Sequence, residues 1–319
     1  MTAMPATLEA ALAASGEYRA GGTDLQQRLR SGVATGPVVD LAHVPDLDVI
    51  EWNDEGRARV GALVPMATVA GDPRLAAGYP GLAAAAGALA TPQIRALGTL
   101  GGNLLQRNRC WYFRHPATSC FKKGGDVCPA REGNHLYGVC FDLGPCVAPH
   151  PSTLGMALLA YEAEAEVAGG DSRSVAALYG DGSDGRRDHQ LGAGEILSAV
   201  RMRPPLAGER AAYFRSIGRA LAEWPLVEAI ARLGVTDGEI TFARVAAGGV
   251  APIPLRLEHV EAALVGRPAG DDTFASAASL AARGARPLPM TRYKVDLLPP
   301  TVHEALTRAL TRRQDVPIA

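Results

Sequence analysis

Apolar positions along this chain change their spacing repeatedly, and each change marks an element. Helical spacing runs from Thr7 to Ser15, Glu17-Tyr18-Arg19-Ala20 reads as extended, and after Gly21-Gly22 a second helical face carries Leu25 and Leu29. Pro37-Val38-Val39-Asp40-Leu41 has the β-branched run of a buried strand. Residues 1–50 therefore form a strand–turn–helix–strand unit in this reading.

The next stretch is richer in strands. Val49-Ile50-Glu51-Trp52, a turn at Asn53-Asp54-Glu55-Gly56 and a return strand Ala58-Arg59-Val60-Gly61-Ala62 predict a hairpin. Val64 to Ala70 starts a helical region, and Gly81 to Leu97 contains a second helix interrupted near Pro92, ahead of Gly98-Thr99-Leu100-Gly101-Gly102-Asn103. Further on, Leu154 to Tyr161 has helical spacing, Ala163 to Ala168 alternates like a strand, and a polar loop surrounds Gly180 to Asp188. After Arg203-Pro204-Pro205 the pattern predicts strands near Tyr213 to Ile217 and Ile240 to Ala247. Helices are predicted near Leu226 to Leu233, Leu257 to Val265 and Val302 to Arg312, which makes a separate α+β domain. No repeat of solenoid or propeller period is present.

One segment fits neither period. Residues 107–150 hold all five cysteines, Cys110, Cys120, Cys128, Cys140 and Cys146, together with aromatics, glycines and prolines. Something other than an apolar core must organise it. An odd number of thiols in a chain without a secretion signal favours metal binding over disulfides. Zinc and an iron–sulfur cluster both use four thiolates; the wide gaps weaken the zinc reading, which usually has paired Cys-x(2–4)-Cys spacing, without establishing iron. His135 and His150 lie in or beside the segment and could each replace a thiol, while Lys122 and Lys123 would favour a net-negative cluster.

Composition narrows the partners. With 47% hydrophobic and 20% charged residues over 319 positions, the chain has material for two or three domains with cores of their own. A net charge of −1 with scattered basic residues leaves no footprint for nucleic acid or an anionic membrane. Gly81 to Ala90, the longest weakly polar stretch, is far short of the roughly 20 apolar residues of a membrane span. The first cation after Met1 is Arg19 and no apolar core with a cleavage site follows the start. The expected location is cytoplasmic, export with a signal-bearing partner being the other route.

Ala20-Gly21-Gly22-Thr23-Asp24-Leu25 lies between a predicted strand and a predicted helix, where backbone N–H groups can converge on an anion with no Cβ in the way. Alone it equally suits a Gly-Gly turn capped by Thr23 or Asp24. The second loop, Gly98 to Asn103, could clamp the same dinucleotide from the next domain. Two loops are unlike the single Gly-x-Gly-x-x-Gly of a Rossmann unit, so FAD suits the chain better than NAD.

At these motifs the sequence resembles the medium, FAD-binding subunits of the xanthine dehydrogenase and aldehyde oxidoreductase family of molybdenum hydroxylases. Its carriers are the two glycine loops, Val39-Asp40-Leu41 with Pro45-Asp46-Leu47, Ala90-Thr91-Pro92-Gln93-Ile94-Arg95, and Gly248-Gly249-Val250-Ala251-Pro252. The resemblance implies an α+β chain with a two-part FAD-binding domain of the vanillyl-alcohol-oxidase (PCMH) type. Its parts would be residues 1–50 and 51–205, the latter with an insert at about 107–150, followed by a C-terminal α+β domain over 206–319. It assigns FAD to Ala20, Gly21, Gly22, Thr23, Asp24, Leu25, Thr99, Gly101, Gly102 and Asn103, with Thr23, Asp24, Thr99 and Asn103 as side-chain contributors.

Gln106-Arg107-Asn108-Arg109-Cys110-Trp111-Tyr112-Phe113-Arg114 is similar to the branch whose FAD subunit carries an extra [4Fe–4S] cluster, as in bacterial aldehyde oxidoreductases and 4-hydroxybenzoyl-CoA reductase. By that similarity the ligands are Cys110, Cys120, Cys128 and Cys146, the last preceding Ala148-Pro149-His150-Pro151-Ser152, and Cys140 is the spare. The cluster's expected role is structural or electron-buffering. Two departures stand out. Thr153 occupies a position where relatives usually carry Asp, removing a carboxylate expected near the flavin. Ala220 to Val227 replaces a Ser-Tyr or Ser-Phe pair, and Trp224 there is read as packing at the start of a helix.

The family implies that substrate is hydroxylated at a molybdenum cofactor on a large subunit. Electrons then pass through [2Fe–2S] centres on a small subunit to FAD on this chain, and on to a small-molecule or protein acceptor. No general acid, base or nucleophile is assigned within this chain, which lacks Gly-x-Ser-x-Gly and His-Glu-x-x-His. The rival readings are a stand-alone FAD oxidase and a non-enzymatic module stabilised by zinc.

Overall fold

The computed structural model describes residues 2–220 and 222–311. Its first sheet is parallel, with Val38–Asp40 between Thr2–Ala3 and Glu17–Arg19. Parallel neighbours need crossovers, and the helices Leu8–Ala13 and Leu25–Arg30 supply them. The turn from Arg19 to Leu25 thus lies at the carboxyl end of a parallel strand, where helix and strand leave backbone groups free.

The second sheet is antiparallel, ordered Ile50–Trp52, Ala58–Gly61, Ile196–Met202, Glu164–Ala168 and Arg173–Ser174. The expected hairpin is its edge. Helices Met66–Gly71, Pro80–Gly87 and Thr153–Ala160 share one core with it, built on Val60, Val69, Leu82, Met156 and Val200. Pro92 begins a helix, Pro92–Leu97, where the sequence reading has it interrupting one. Proline at the first helical position loses only an N–H that would be unpaired anyway, and Thr91 accepts from the Ile94 N–H as the cap.

The third sheet is antiparallel, ordered Leu255–Arg256, Glu239–Gly248, Val227–Thr236 and Arg210–Ser216. Here the expected helix from Leu226 to Leu233 is corrected: Val227–Thr236 is a central strand, buried continuously from Val227 to Gly234. Ala229, Ala231 and Leu233 pack into the C-terminal core, while Ile230 joins the core of the second sheet. With both faces covered, the run loses the polar alternation that betrays a strand, and its alanines favour helix until two neighbours pair with it.

The last helix, Arg292–Thr311, starts well before the expected Val302 because Pro299 and Pro300 lie inside it; Arg312 falls outside the described residues. Prolines remove two ladder bonds, and burial of Leu298, Val302, Ala305 and Leu306 against the third sheet offsets that loss.

Two buried charges lock the second and third sheets together. Arg232 pairs with Glu209 through Nη2 at 2.7 Å and Nε at 2.9 Å, donates to the Ala160 carbonyl, and lies 3.9 Å from the centre of the Tyr161 ring. Removing one partner strands the other in a dry interior. Glu209→Ala is expected to cost about 3–5 kcal/mol of stability, read as a lower urea midpoint at unchanged slope. The double change Glu209→Leu with Arg232→Met, which removes both charges, is expected to cost less.

Candidate functional site

The two glycine loops meet. A Cβ on Gly21 would lie 1.7 Å from the Leu97 carbonyl oxygen and 3.3 Å from the Gly98 Cα, so backbone from the first sheet touches backbone from the second. One on Gly98 would stand 3.4 Å from Thr23 Oγ1, and Gly22 has a φ of +73° that suits glycine. The N–H groups of Gly21, Gly22, Thr23 and Asp24 donate to no acceptor among the described residues. Successive unpaired N–H groups ahead of a helix are an anion site.

Side chains of these loops are largely spent on the scaffold. Thr99 Oγ1 accepts from the Gly102 N–H at 3.1 Å, and Gly101 sits against Ala62, which a Cβ would meet at 2.7 Å. Asn103 Oδ1 accepts from Ser152 Oγ at 2.8 Å and from the Leu154 N–H at 3.3 Å, while its amide donates toward Met66 Sδ at 3.5 Å. Leu25 is a buried core residue. Thr99 and Asn103, read from the sequence as side-chain contributors to FAD, thus also hold the loop in place, beside Ala20, Thr23 and the glycines.

Asp24 is the hub that joins the first loop to the insert. Its carboxylate meets Arg114 at 2.6 Å, Arg109 at 2.9 Å and Arg28 at 3.0 Å, and accepts from the Arg107 N–H at 3.3 Å. Burial works to raise its pKa, but the Arg109, Arg114 and Arg28 guanidinium groups outweigh it and hold the carboxyl below its ordinary value. A depressed carboxyl contributes stability that is present above its unfolded pKa of about 3.9 and is lost as pH falls through the lower folded value. Asp24→Asn is expected to flatten the acid limb of thermal stability; an unchanged acid limb would contradict the hub.

Within the insert, Cys110, Cys120, Cys128 and Cys146 all line one void, with Tyr112, Phe113 and Lys122. Cys140 does not: it is fully buried in the C-terminal core. The adjacent Cys146 side chain holds the Cys128 thiol below its ordinary value, while the same neighbour and burial push Cys146 up. Lys122, read from the sequence as favouring a net-negative cluster, has a buried side chain that pairs with Asp188 at 2.8 Å; Arg107 holds the same carboxylate at 2.6 Å. Among the described residues no three His, Cys, Asp or Glu side chains converge on one point as the ligands of a single ion would. His135 is tied through Nδ1 to the Ala130 and Gly133 carbonyls, and His150, driven down to about 4 by burial, accepts from the Ser152 N–H.

Beside the void lies a cavity of about 580 Å³ between the insert and the third sheet, walled by Arg109, Trp111, Tyr137, His150, Trp224, Glu228 and Lys294. Trp224 does not start a helix, as the sequence reading has it; it is half-exposed on the rim with the Arg109 guanidinium 4.5 Å from its ring centre. Lys294 is buried, donates to the Gly249 carbonyl at 2.7 Å, and is lowered by that burial to about 8. Glu228 Oε2 accepts from Thr153 Oγ1 and Tyr213 Oη, each at 2.7 Å, and burial raises its pKa. Sequence reasoning missed both charges. Glu228 inside the otherwise apolar stretch Val227 to Ala231 was the available signal for one; Lys294 offered none.

Residues 3–204 match the family described as FAD binding domain in molybdopterin dehydrogenase, and residues 212–309 match the CO dehydrogenase flavoprotein C-terminal domain. The chain belongs to this flavoprotein family. Among its relatives, the aldehyde oxidoreductase FAD-binding subunit PaoB of Escherichia coli (strain K12) is 35% identical over 285 residues, covering 86% of this chain and 88% of that one.

Solved structures share the fold. A carbon monoxide dehydrogenase chain from Hydrogenophaga pseudoflava superposes with a TM-score of 0.76 at 21% identity, covering 97% of this chain and 96% of that one. Reconstituted CO dehydrogenase from Oligotropha carboxidovorans gives 0.77 at 22% identity, with 98% of both chains covered. For quinoline 2-oxidoreductase from Pseudomonas putida 86 the TM-score is 0.76 at 22% identity, over 97% of this chain and 95% of that one. The α+β architecture expected from the sequence is thus the fold of this flavoprotein family, and the chain is an FAD-binding subunit of a molybdenum-hydroxylase-type enzyme.

The donors of this flavoprotein suit its cofactor. Four N–H groups without acceptors among the described residues stand where two glycine loops touch, and Arg109 runs from Asp24 beside the first loop to the wall of the large cavity. A diphosphate at the loops with a ring system in the cavity would use both.

Proposed function

We propose that this chain is the electron-transfer subunit of a three-subunit molybdenum hydroxylase, taking electrons from [2Fe–2S] centres on a small subunit and passing them to an external acceptor. The molybdenum cofactor and the hydroxylation it carries out belong to a large subunit. What carries the reading is the direct contact of Gly21 with Leu97 and Gly98, with unpaired N–H groups left facing out beside it. Bound FAD supplies exchange between one-electron and two-electron carriers. The chain's part is to bind and orient it: N–H groups of Gly21 to Asp24 donate to the diphosphate, and Asp24 holds the loop through its arginines.

The same reading gives Cys110, Cys120, Cys128 and Cys146 to a [4Fe–4S] cluster and leaves Cys140 as the spare. The donor set supports it: four thiols line one void, and four thiolates are what such a cluster takes from a protein. The void is only about 20 Å³, so the four side chains would have to turn outward around a cluster. Cys140 lies apart beside Lys294, in the C-terminal core.

No helix among the described residues is long and apolar enough to cross a membrane. We place the chain in the cytoplasm, or wherever a signal-bearing partner takes the assembly, and expect no nucleic-acid partner. Anaerobic co-purification tests the assembly. Recovery of large and small subunits with bound flavin supports it, whereas turnover by the isolated chain would favour a stand-alone oxidase, and zinc without flavin a zinc-stabilised module.

A further inference from the structure

Glu228 is an ionisable group for which the scaffold has no evident need. Alternation along Val227–Thr236 turns Glu228, Ile230 and Arg232 away from the C-terminal core. Arg232 finds a carboxylate in Glu209, but Glu228 forms no ion pair among the described residues. Burying a carboxyl is costly unless hydrogen bonds or a partner charge compensate it.

The surroundings are built around one end of that carboxyl. Both hydroxyls that reach it, Thr153 Oγ1 and Tyr213 Oη, bind Oε2. Oε1 takes no hydrogen bond among the described residues and lies 2.4 Å from where a Cβ on Gly248 would stand, so glycine there makes its room. Glu228 forms part of the wall of the 580 Å³ cavity, whereas Thr153 and Tyr213 lie behind it. Two neutral donors thus fix the carboxyl through one oxygen and leave the other without a donor among the described residues, in a residue that forms part of the cavity wall.

We propose that Glu228, in the wall of this cavity, sets the reduction potential of the flavin. The inference rests on the FAD reading above. An ionised carboxylate on the cavity wall opposes the negative charge that a ring system gains on reduction, and does so most strongly where the bound ring itself displaces water. Replacing it with a neutral amide of the same shape removes that opposition and leaves the packing in place.

The test compares wild-type holoenzyme with Glu228→Gln, measuring FAD per chain, the visible flavin absorption and the midpoint potential by dye-coupled titration at mildly alkaline pH. Full FAD content with an upward shift in potential and a displaced absorption band is expected. Adding Thr153→Asp to Glu228→Gln puts a carboxyl one hydrogen bond away and should return the potential toward wild type. Should Glu228→Gln fail to fold, Tyr213→Phe carries the test: losing one donor to Oε2 favours the neutral carboxyl, giving a smaller shift in the same direction. Unchanged potential and spectrum with FAD bound would overturn the role of Glu228 alone; wild-type enzyme without FAD would overturn the flavin reading with it.

Discussion

Replacing Gly21 with alanine is expected to abolish flavin binding. The new methyl would lie 1.7 Å from the Leu97 carbonyl oxygen, a distance that backbone on both sides must open. Overpacking of this kind costs about 1–3 kcal/mol or more, and it falls at the contact that brings the two loops together. Separating them by even an ångström misaligns the N–H groups of Gly21 to Asp24, and each tenfold loss of affinity corresponds to about 1.4 kcal/mol. Gly22→Ala is the comparison: its φ of +73° makes a side chain costly, but the nearest atom is 3.6 Å away on the flexible Arg19 side chain. It should lower stability by about 1 kcal/mol and keep most of the flavin. Bound FAD and thermal midpoint, measured on both variants, separate loss of the site from loss of the fold.

The other large effect is selective loss of iron. Cys128→Ser and Cys146→Ser should each remove most of the iron and acid-labile sulfide from anaerobically purified protein, whereas Cys140→Ser should leave both near wild-type content. Position is the ground for the difference, because Cys128 and Cys146 both line the void while Cys140 is packed among apolar side chains of the C-terminal core. Flavin should survive all three substitutions, since the loops that meet at Gly21 and Leu97 contain no cysteine. Iron loss on Cys140→Ser with retention on Cys146→Ser would reverse the assignment. Zinc in place of iron in the wild-type protein would remove the cluster and leave the flavoprotein.

Local chemistry makes part of this legible in the sequence. The hairpin at residues 50–61, the strand from Glu164 and the two glycine loops carry their signals in consecutive residues: turn residues, alternation, and absent Cβ atoms. Elements covered on both faces carry none. Ile196–Met202 and Val227–Thr236 are central strands, apolar almost throughout; the former gives no strand signal in sequence and the latter reads as a helix. The long final helix hides behind Pro299 and Pro300, whose local meaning is a break.

The site divides in the same way. Backbone groups of the loops are visible in sequence because glycine announces them, but the destinations of side chains are not. Arg114 reaches Asp24 across 90 positions, Thr153 reaches Glu228 across 75, and Asn103 is claimed by Ser152 across 49. In sequence, Thr153 reads as a missing carboxylate; in three dimensions Thr153 holds a carboxyl from another strand. Clustering alone separates the cysteines from the rest of the chain, and the fold then sets Cys140 apart from the other four.

The most direct test of the account is the flavin content of the chain, purified with whatever partners accompany it and then denatured to release bound cofactor. Contact between the two glycine loops, with four N–H groups unclaimed beside it, predicts about one FAD per chain and its near-complete loss in Gly21→Ala. Wild-type protein that carries no flavin and takes up none on incubation with FAD would contradict it.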